Sequence, residues 1–270
     1  MGEVFSNAVS IVSDSSNTVL TSVTVGNGPA GLAYDSGKGE VFVANSLDNT
    51  VSVISDVSNT VVATVPVGNG PQRAAYDSAN GEVFVVNAAD NTVSVISDTS
   101  NTVVHTIPVG VFPYSVTYDS AREEMFVSNF DANTVSVISD TSNTVVATVP
   151  VQGSPFRAAY DPGTGEVFVV NFGSGSVSVI SDTSNTVVAT VSVGSGPRGA
   201  AYDASKSEVY VPNGGSVTVS VISDSSTAVT TTTAVSCIPS SVGVDLSSTC
   251  TATVTGSGPT GTISFTQSSF

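Results

Sequence analysis

The chain has 270 residues, of which 40% are apolar and only 10% are charged, a composition that supports a substantial core and argues against disorder. Its 22 Asp and Glu against six Lys and Arg give a formal charge of −16, which speaks against nucleic acid and anionic membrane surfaces as partners. No apolar run approaches the roughly 18 residues of a membrane span, and Met1-Gly2-Glu3 lacks the basic start and apolar stretch of a secretion signal.

Residues 4–25 read as two short strands, half of a unit that then repeats in full. The segment 71–109 shows the complete unit as four apolar runs, "RAAYD", "EVFVVN", "TVSVISD" and "TVVHTIPV", here called strands A to D. Each is rich in β-branched or aromatic residues and bounded by Gly, Asn, Asp, Ser or Pro, and none has helical periodicity. Tyr-Asp pairs at 34–35, 76–77, 118–119, 160–161 and 202–203 keep a 42-residue interval without an insertion. Ser-Asp pairs, from 13–14 to 223–224, keep the same interval. Five units result, at about 29–67, 71–109, 113–151, 155–193 and 197–235.

Strand B decides the architecture. In Val83-Phe84-Val85-Val86 both faces are apolar, so both must be covered. A four-stranded sheet buried on both faces and repeated at this interval is a β-propeller blade. A solenoid needs shorter coils, and a sandwich needs about seven strands per domain. The expected fold class is therefore all-β: a propeller over residues 1–235, with five full blades and the N-terminal half blade 4–25. That count does not close a ring, so the chain is expected to be a fragment of a longer protein whose ring has six or seven blades.

Phe42-Val43-Ala44-Asn45, Phe84-Val85-Val86-Asn87, Phe126-Val127-Ser128-Asn129, Phe168-Val169-Val170-Asn171 and Tyr210-Val211-Pro212-Asn213 each precede a "TVSVISD"-like strand. With the "SNTVVATVPVGNGP" that follows, they resemble the YVTN-type β-propeller repeat of archaeal surface-layer and related extracellular proteins. The resemblance spans residues 4–235 and implies fold and an extracellular location, not an activity. Residues 236–270 lose the repeat, and "TCTATVTGSGPTGTISF" resembles the opening strands of an immunoglobulin-like surface domain. That resemblance implies a bridge between Cys237 and Cys250 and an oxidising compartment; the alternative is two unpaired thiols.

No residues with a catalytic arrangement emerge. His105, the only histidine, replaces Ala63, Ala147 and Ala189 of other repeats, as a surface variation would. No His or Cys cluster has metal-ligand spacing, and no serine sits in a nucleophile motif. The chain is expected to be no enzyme and to need no cofactor. Two faces of the disc carry the charge. Most acidic residues border the A–B and C–D turns, where the Tyr-Asp aspartates Asp35, Asp77, Asp119, Asp161 and Asp203 are candidate ligands for Ca²⁺. The plainer reading is that turns favour Asp. On the other face Arg73, Arg157 and Arg198 follow the Pro that opens strand A, with Tyr114 and Phe156 beside them. This rim suits an anionic or sugar ligand, unless each Arg merely pairs with Asp48, Asp90 or Asp131 of the B–C loops.

The sequence thus points to a non-enzymatic extracellular or cell-surface module for adhesion, surface-layer assembly or protein and glycan binding. Its partners would be cell-surface proteins, glycans or its own copies. The alternative is a periplasmic or secreted ligand-binding or lactonase-like propeller that uses the channel rim.

Overall fold

The computed structural model describes residues 2–3, 6–223, 232–238 and 249–255, with side chains for 6–223. Every regular element among them is a strand, so no helix there is long and apolar enough to cross a membrane. The first sheet holds β1 (Gly2–Glu3), β2 (Ala8–Val12) and β3 (Val19–Thr24). A four-stranded meander follows: β4 (Pro29–Asp35), β5 (Glu40–Asn45), β6 (Thr50–Ser55) and β7 (Thr60–Pro66). It recurs as β8 (Pro71–Asp77), β9 (Glu82–Asn87), β10 (Thr92–Ser97) and β11 (Thr102–Pro108). The third copy is β12 (Pro113–Asp119), β13 (Glu124–Asn129), β14 (Thr134–Ser139) and β15 (Thr144–Pro150). The fourth is β16 (Pro155–Asp161), β17 (Glu166–Asn171), β18 (Ser176–Ser181) and β19 (Thr186–Ser192). A last blade shows β20 (Ala201–Asp203), β21 (Glu208–Asn213) and β22 (Thr218–Ser223).

Local chemistry explains why each copy folds alike. Pro opens strand A in four blades, the strand position where a missing N–H costs least. Strand A closes on an Asp whose Oδ1 accepts backbone N–H groups two and three residues on, as Asp35 does from Gly37 at 2.7 Å and Lys38 at 3.1 Å. The C–D turns place Asn59, Asn101, Asn143 and Asn185 at positive φ, and the B–C turns do the same with Asn49, Asn91 and Asn133. Asn tolerates that left-handed conformation better than most residues, so its recurrence is turn chemistry.

The core lies between blades. Phe42, Val51 and Val53 of one sheet meet Val83, Val85 and Ile96 of the next. Phe84, Val93 and Val95 in turn meet Met125, Val127 and Ile138. The same interlock continues through Phe126 and Phe168. All four Phe of strand B are at most 2% exposed, each stabilising by about 1.5–3 kcal/mol. Inner strands pack in succession from β4 through β8, β12 and β16 to β20. The sheets are therefore stacked side by side about the A strands, with D strands outermost.

Two boundaries differ from expectation. The N-terminal half blade gains a third strand, because Gly2–Glu3 pairs with Val9 and Ala8. The fifth blade, expected to run to residue 235, shows three strands among the described residues, and the chain divides into compact units at Asp224/Ser225. "TTAVSCI" has lost the "TVVATVP" pattern, and as β23 (Thr232–Ile238) it pairs with β24 (Thr249–Thr255) instead of β22. Among the described residues no sheet closes on itself. Val219 and Val221 of the last blade are 59% and 53% exposed, whereas Val93 and Val95 in the identical "TVSVIS" strand are fully buried. In the second unit the backbone register sets Cys237 directly opposite Cys250. Their side chains, and the rest of the 236–270 immunoglobulin-like expectation, lie outside the described residues.

Candidate functional site

The two ends of the blades are chemically unlike. At the A–B and C–D end, tyrosines join the two aspartate series: Tyr34 donates to Asp56 at 2.9 Å and Tyr76 to Asp98 at 3.5 Å. The opposite end carries the B–C loops and D–A connections. There Asp48 accepts the Asn27 backbone N–H at 2.7 Å and its side-chain amide at 2.8 Å, and Asp90 accepts the same pair from Asn69. These bonds, the backbone one foremost, hold both carboxyls below the usual range.

At the acidic end the candidate metal ligands serve the turns. Asp35, Asp77, Asp119 and Asp161 are fully buried, and the less buried Asp203 accepts from the Ser205 backbone and hydroxyl. Asp77 caps Ala79 and Asn80; Asp119 caps Ala121 and Arg122. Among the described residues no group of three or more His, Cys, Asp or Glu is arranged to hold a metal. A cation bridges neighbouring blades instead: Lys38 Nζ lies 3.4 Å from Asp98 and Arg122 Nε 4.0 Å from Asp182. Between those two, Asn80 takes the place of Lys38 and Arg122, and among the described residues no cation pairs with Asp140. Burial, then the charge of Asp77, push its carboxyl up to about 6.

The other end gathers cations and rings. Tyr114 and Phe156 stack with centroids 4.1 Å apart, and Phe130 and Phe172 stand 6.1 and 6.0 Å from Phe156. Phe112 meets Phe130 edge-on at 6.2 Å. Guanidinium groups cap these rings: Arg73 over Tyr114 at 5.7 Å, Arg157 over Phe156 at 5.5 Å, Arg198 over Phe172 at 5.2 Å. All five residues named from sequence thus converge. Phe112, Phe130 and Phe172 were missed, although departure from the repeat marks each of them. Phe112 stands where other blades place Gly28, Gly70, Ser154 and Gly196; Phe130 and Phe172 replace Ser46, Ala88 and Gly214.

The simple pairing of Arg with loop Asp does not occur. Among the described residues no carboxylate lies within salt-bridge distance of Arg73, Arg157 or Arg198, because Asp48 and Asp90 are engaged by asparagines. Burial, then the nearby charge of Arg73, lower the Arg157 pKa. The Nε atoms of Arg73 and Arg157 are buried and have no hydrogen-bond partner among the described residues. Phe112 is held at φ +52°, a left-handed conformation costing about 1–2 kcal/mol for a residue with a side chain. Such strain accumulates at ligand-contacting positions. His105, by contrast, is exposed on β11, the edge of its sheet opposite β8 and Arg73.

Comparison with solved structures settles the fold. A protein of unknown function from Desulfotomaculum acetoxidans aligns over 82% of this chain and 77% of its own, with TM-score 0.70 and 18% identity. The chain has a β-propeller-like repeat fold. Kuenenia stuttgartiensis hydrazine synthase aligns over 80% of this chain and 89% of its own, with TM-score 0.55 and 16% identity. At such identities the likeness concerns fold alone. No family model and no curated protein matches the sequence.

Proposed function

We propose that this chain is a non-enzymatic propeller module of a cell-surface protein, and that it binds acidic glycans through its arginine–aromatic end. The observation that carries the reading is three guanidinium groups over rings, with no carboxylate partner among the described residues, in a chain of net charge −16. Cations so placed in an acidic protein are available to an anionic ligand, and rings beside them accept the apolar faces of sugars. Adhesion or surface-layer assembly is the corresponding role. The YVTN-like repeat and the immunoglobulin-like tail favour the same extracellular setting.

Acid–base catalysis needs a positioned base with an orienting partner. The one histidine sits on the outer edge strand, which disfavours the lactonase-like alternative. The test is retention on immobilised polygalacturonate against a neutral dextran matrix. Wild type is expected to be retained only on the uronate polymer, and Phe156→Ala with Arg157→Ala to pass through. Equal behaviour of wild type and variant, or equal retention on both matrices, would overturn the reading.

A further inference from the structure

The repeat brings one register position of the inner strands into line: Gly31 on β4, Arg73 on β8, Ser115 on β12, Arg157 on β16 and Gly199 near β20. β8 packs on β12, and β12 on β16, so Ser115 lies between the two arginine positions. Of the two flanking glycines, Gly31 is required by crowding, since a Cβ there would come within 2.5 Å of the Gln72 carbonyl oxygen. Ser115 is only 3% exposed, and among the described residues its Oγ has no hydrogen-bond partner. The Nε atoms of Arg73 and Arg157 are in the same condition. Three buried donors without acceptors, at one register position of three adjacent strands, are costly unless something accepts from them.

We propose that Arg73, Ser115 and Arg157 form a clamp for a single oxyanion, the carboxylate or sulfate ester of a bound ligand. The inference rests on the reading that this end of the blades is the binding end, and names the group it grips. Arg73 covers Tyr114 and Arg157 covers Phe156, and because those two rings stack on each other they tie the positions of the two guanidinium groups together. Guanidinium forks suit planar or tetrahedral oxyanions, and the serine hydroxyl contributes a third, rotatable donor. An anion placed there also relieves the repulsion between the two arginines.

The test uses the full chain and three probes, sodium sulfate, methyl glucuronide and sodium chloride at matched ionic strength, read by thermal unfolding and calorimetry. Sulfate or glucuronide is expected to stabilise wild type, with affinity about tenfold weaker in Arg157→Ala and about threefold weaker in Ser115→Ala. Comparing variants within one salt cancels general salting-out. Ser115→Ala is also expected to unfold later than wild type without the oxyanion, because it removes an unsatisfied buried hydroxyl. Arg122→Ala, at the acidic end, serves as control and is expected to bind the probes normally. A sulfate response without a glucuronide response assigns the clamp to sulfate esters, and the reverse assigns it to uronates. Identical responses of wild type, Ser115→Ala and Arg157→Ala would overturn the clamp. If polygalacturonate is still retained in that case, only the clamp fails. If small oxyanions bind and the polymer does not, the clamp stands and the glycan reading fails.

Discussion

Asn87 shows how one residue type holds each blade. Fully buried at the end of β9, it donates to Thr92 Oγ1 at 3.1 Å and Ser94 Oγ at 2.9 Å. Asn45, Asn129, Asn171 and Asn213 make the same pair of bonds in their own blades. Asn87→Ala is expected to destabilise by about 2–3 kcal/mol, because it leaves the Ser94 hydroxyl buried and unpaired; chemical denaturation measures it. Gly68 lies against that amide, so a Cβ there would sit 2.7 Å from Asn87 Cγ. The recurrence of Asn and Gly was legible in sequence, and their contact was not, because it joins two elements of a blade across a loop. Phe112 illustrates the opposite case. Phe112→Gly relieves the left-handed strain, about 1–2 kcal/mol, and loses an aromatic contact of about 0.5–1.5 kcal/mol. The variant is expected to unfold no earlier than wild type while retaining less polygalacturonate; earlier unfolding would contradict a strained role.

Between elements, the blade interfaces are similar in apolar packing and differ in charge. The interface of Asp77 with Asp140 lacks the cation that Lys38 and Arg122 supply on either side. Tyr118 donates to Asp140 at 3.4 Å, Thr141 donates at 3.3 Å, and Asp77 and Glu123 add negative charge. Since the folded pKa of Asp140 is raised, the folded state holds its proton more tightly than the unfolded chain. The resulting stabilisation is complete below the unfolded value of about 4 and is lost as pH rises through about 6. Asp140→Asn is therefore expected to raise Tm by about 2–4 °C at pH 8, the equivalent of about 1 kcal/mol after discounting for screening, and to do nothing at pH 4. No difference between the two pH values would refute this account. The 42-residue interval and the two-faced apolar strand B made the stacked sheets legible from sequence. The divergence of the fifth repeat's last strand was visible too, but its pairing with Thr249–Thr255 was not, since that partner lies outside the repeat. In that second unit, Cys237 and Cys250 face each other in register, and a cross-strand disulfide is the expected outcome. Mass spectrometry before and after reduction checks it.

At the scale of the whole molecule, repetition and its breaches do different work. Copied residues build rigid stacked sheets and an acidic end whose aspartates cap turns and join blades. The breaches cluster at the other end of the third and fourth blades, where Phe112, Phe130 and Phe172 replace small loop residues and Tyr114 and Phe156 occupy the second position of strand A. Arg73, Arg157 and Arg198 could be picked out as a rim because six cations are few. Tyr114 and Phe156 could be picked out beside them, but what Phe112, Phe130, Phe172 and Ser115 add depends on which register positions adjacent blades bring together. The central claim is that this end, and not the acidic one, receives the ligand. Hydrogen exchange of the full chain, with and without a uronate oligosaccharide, tests it most directly. The account predicts added protection at the start of Pro113–Asp119 and Pro155–Asp161 and in the loops bearing Phe130 and Phe172. Protection confined to the Asp-capped turns after residues 77, 119 and 161, or to the outer strands, would contradict it.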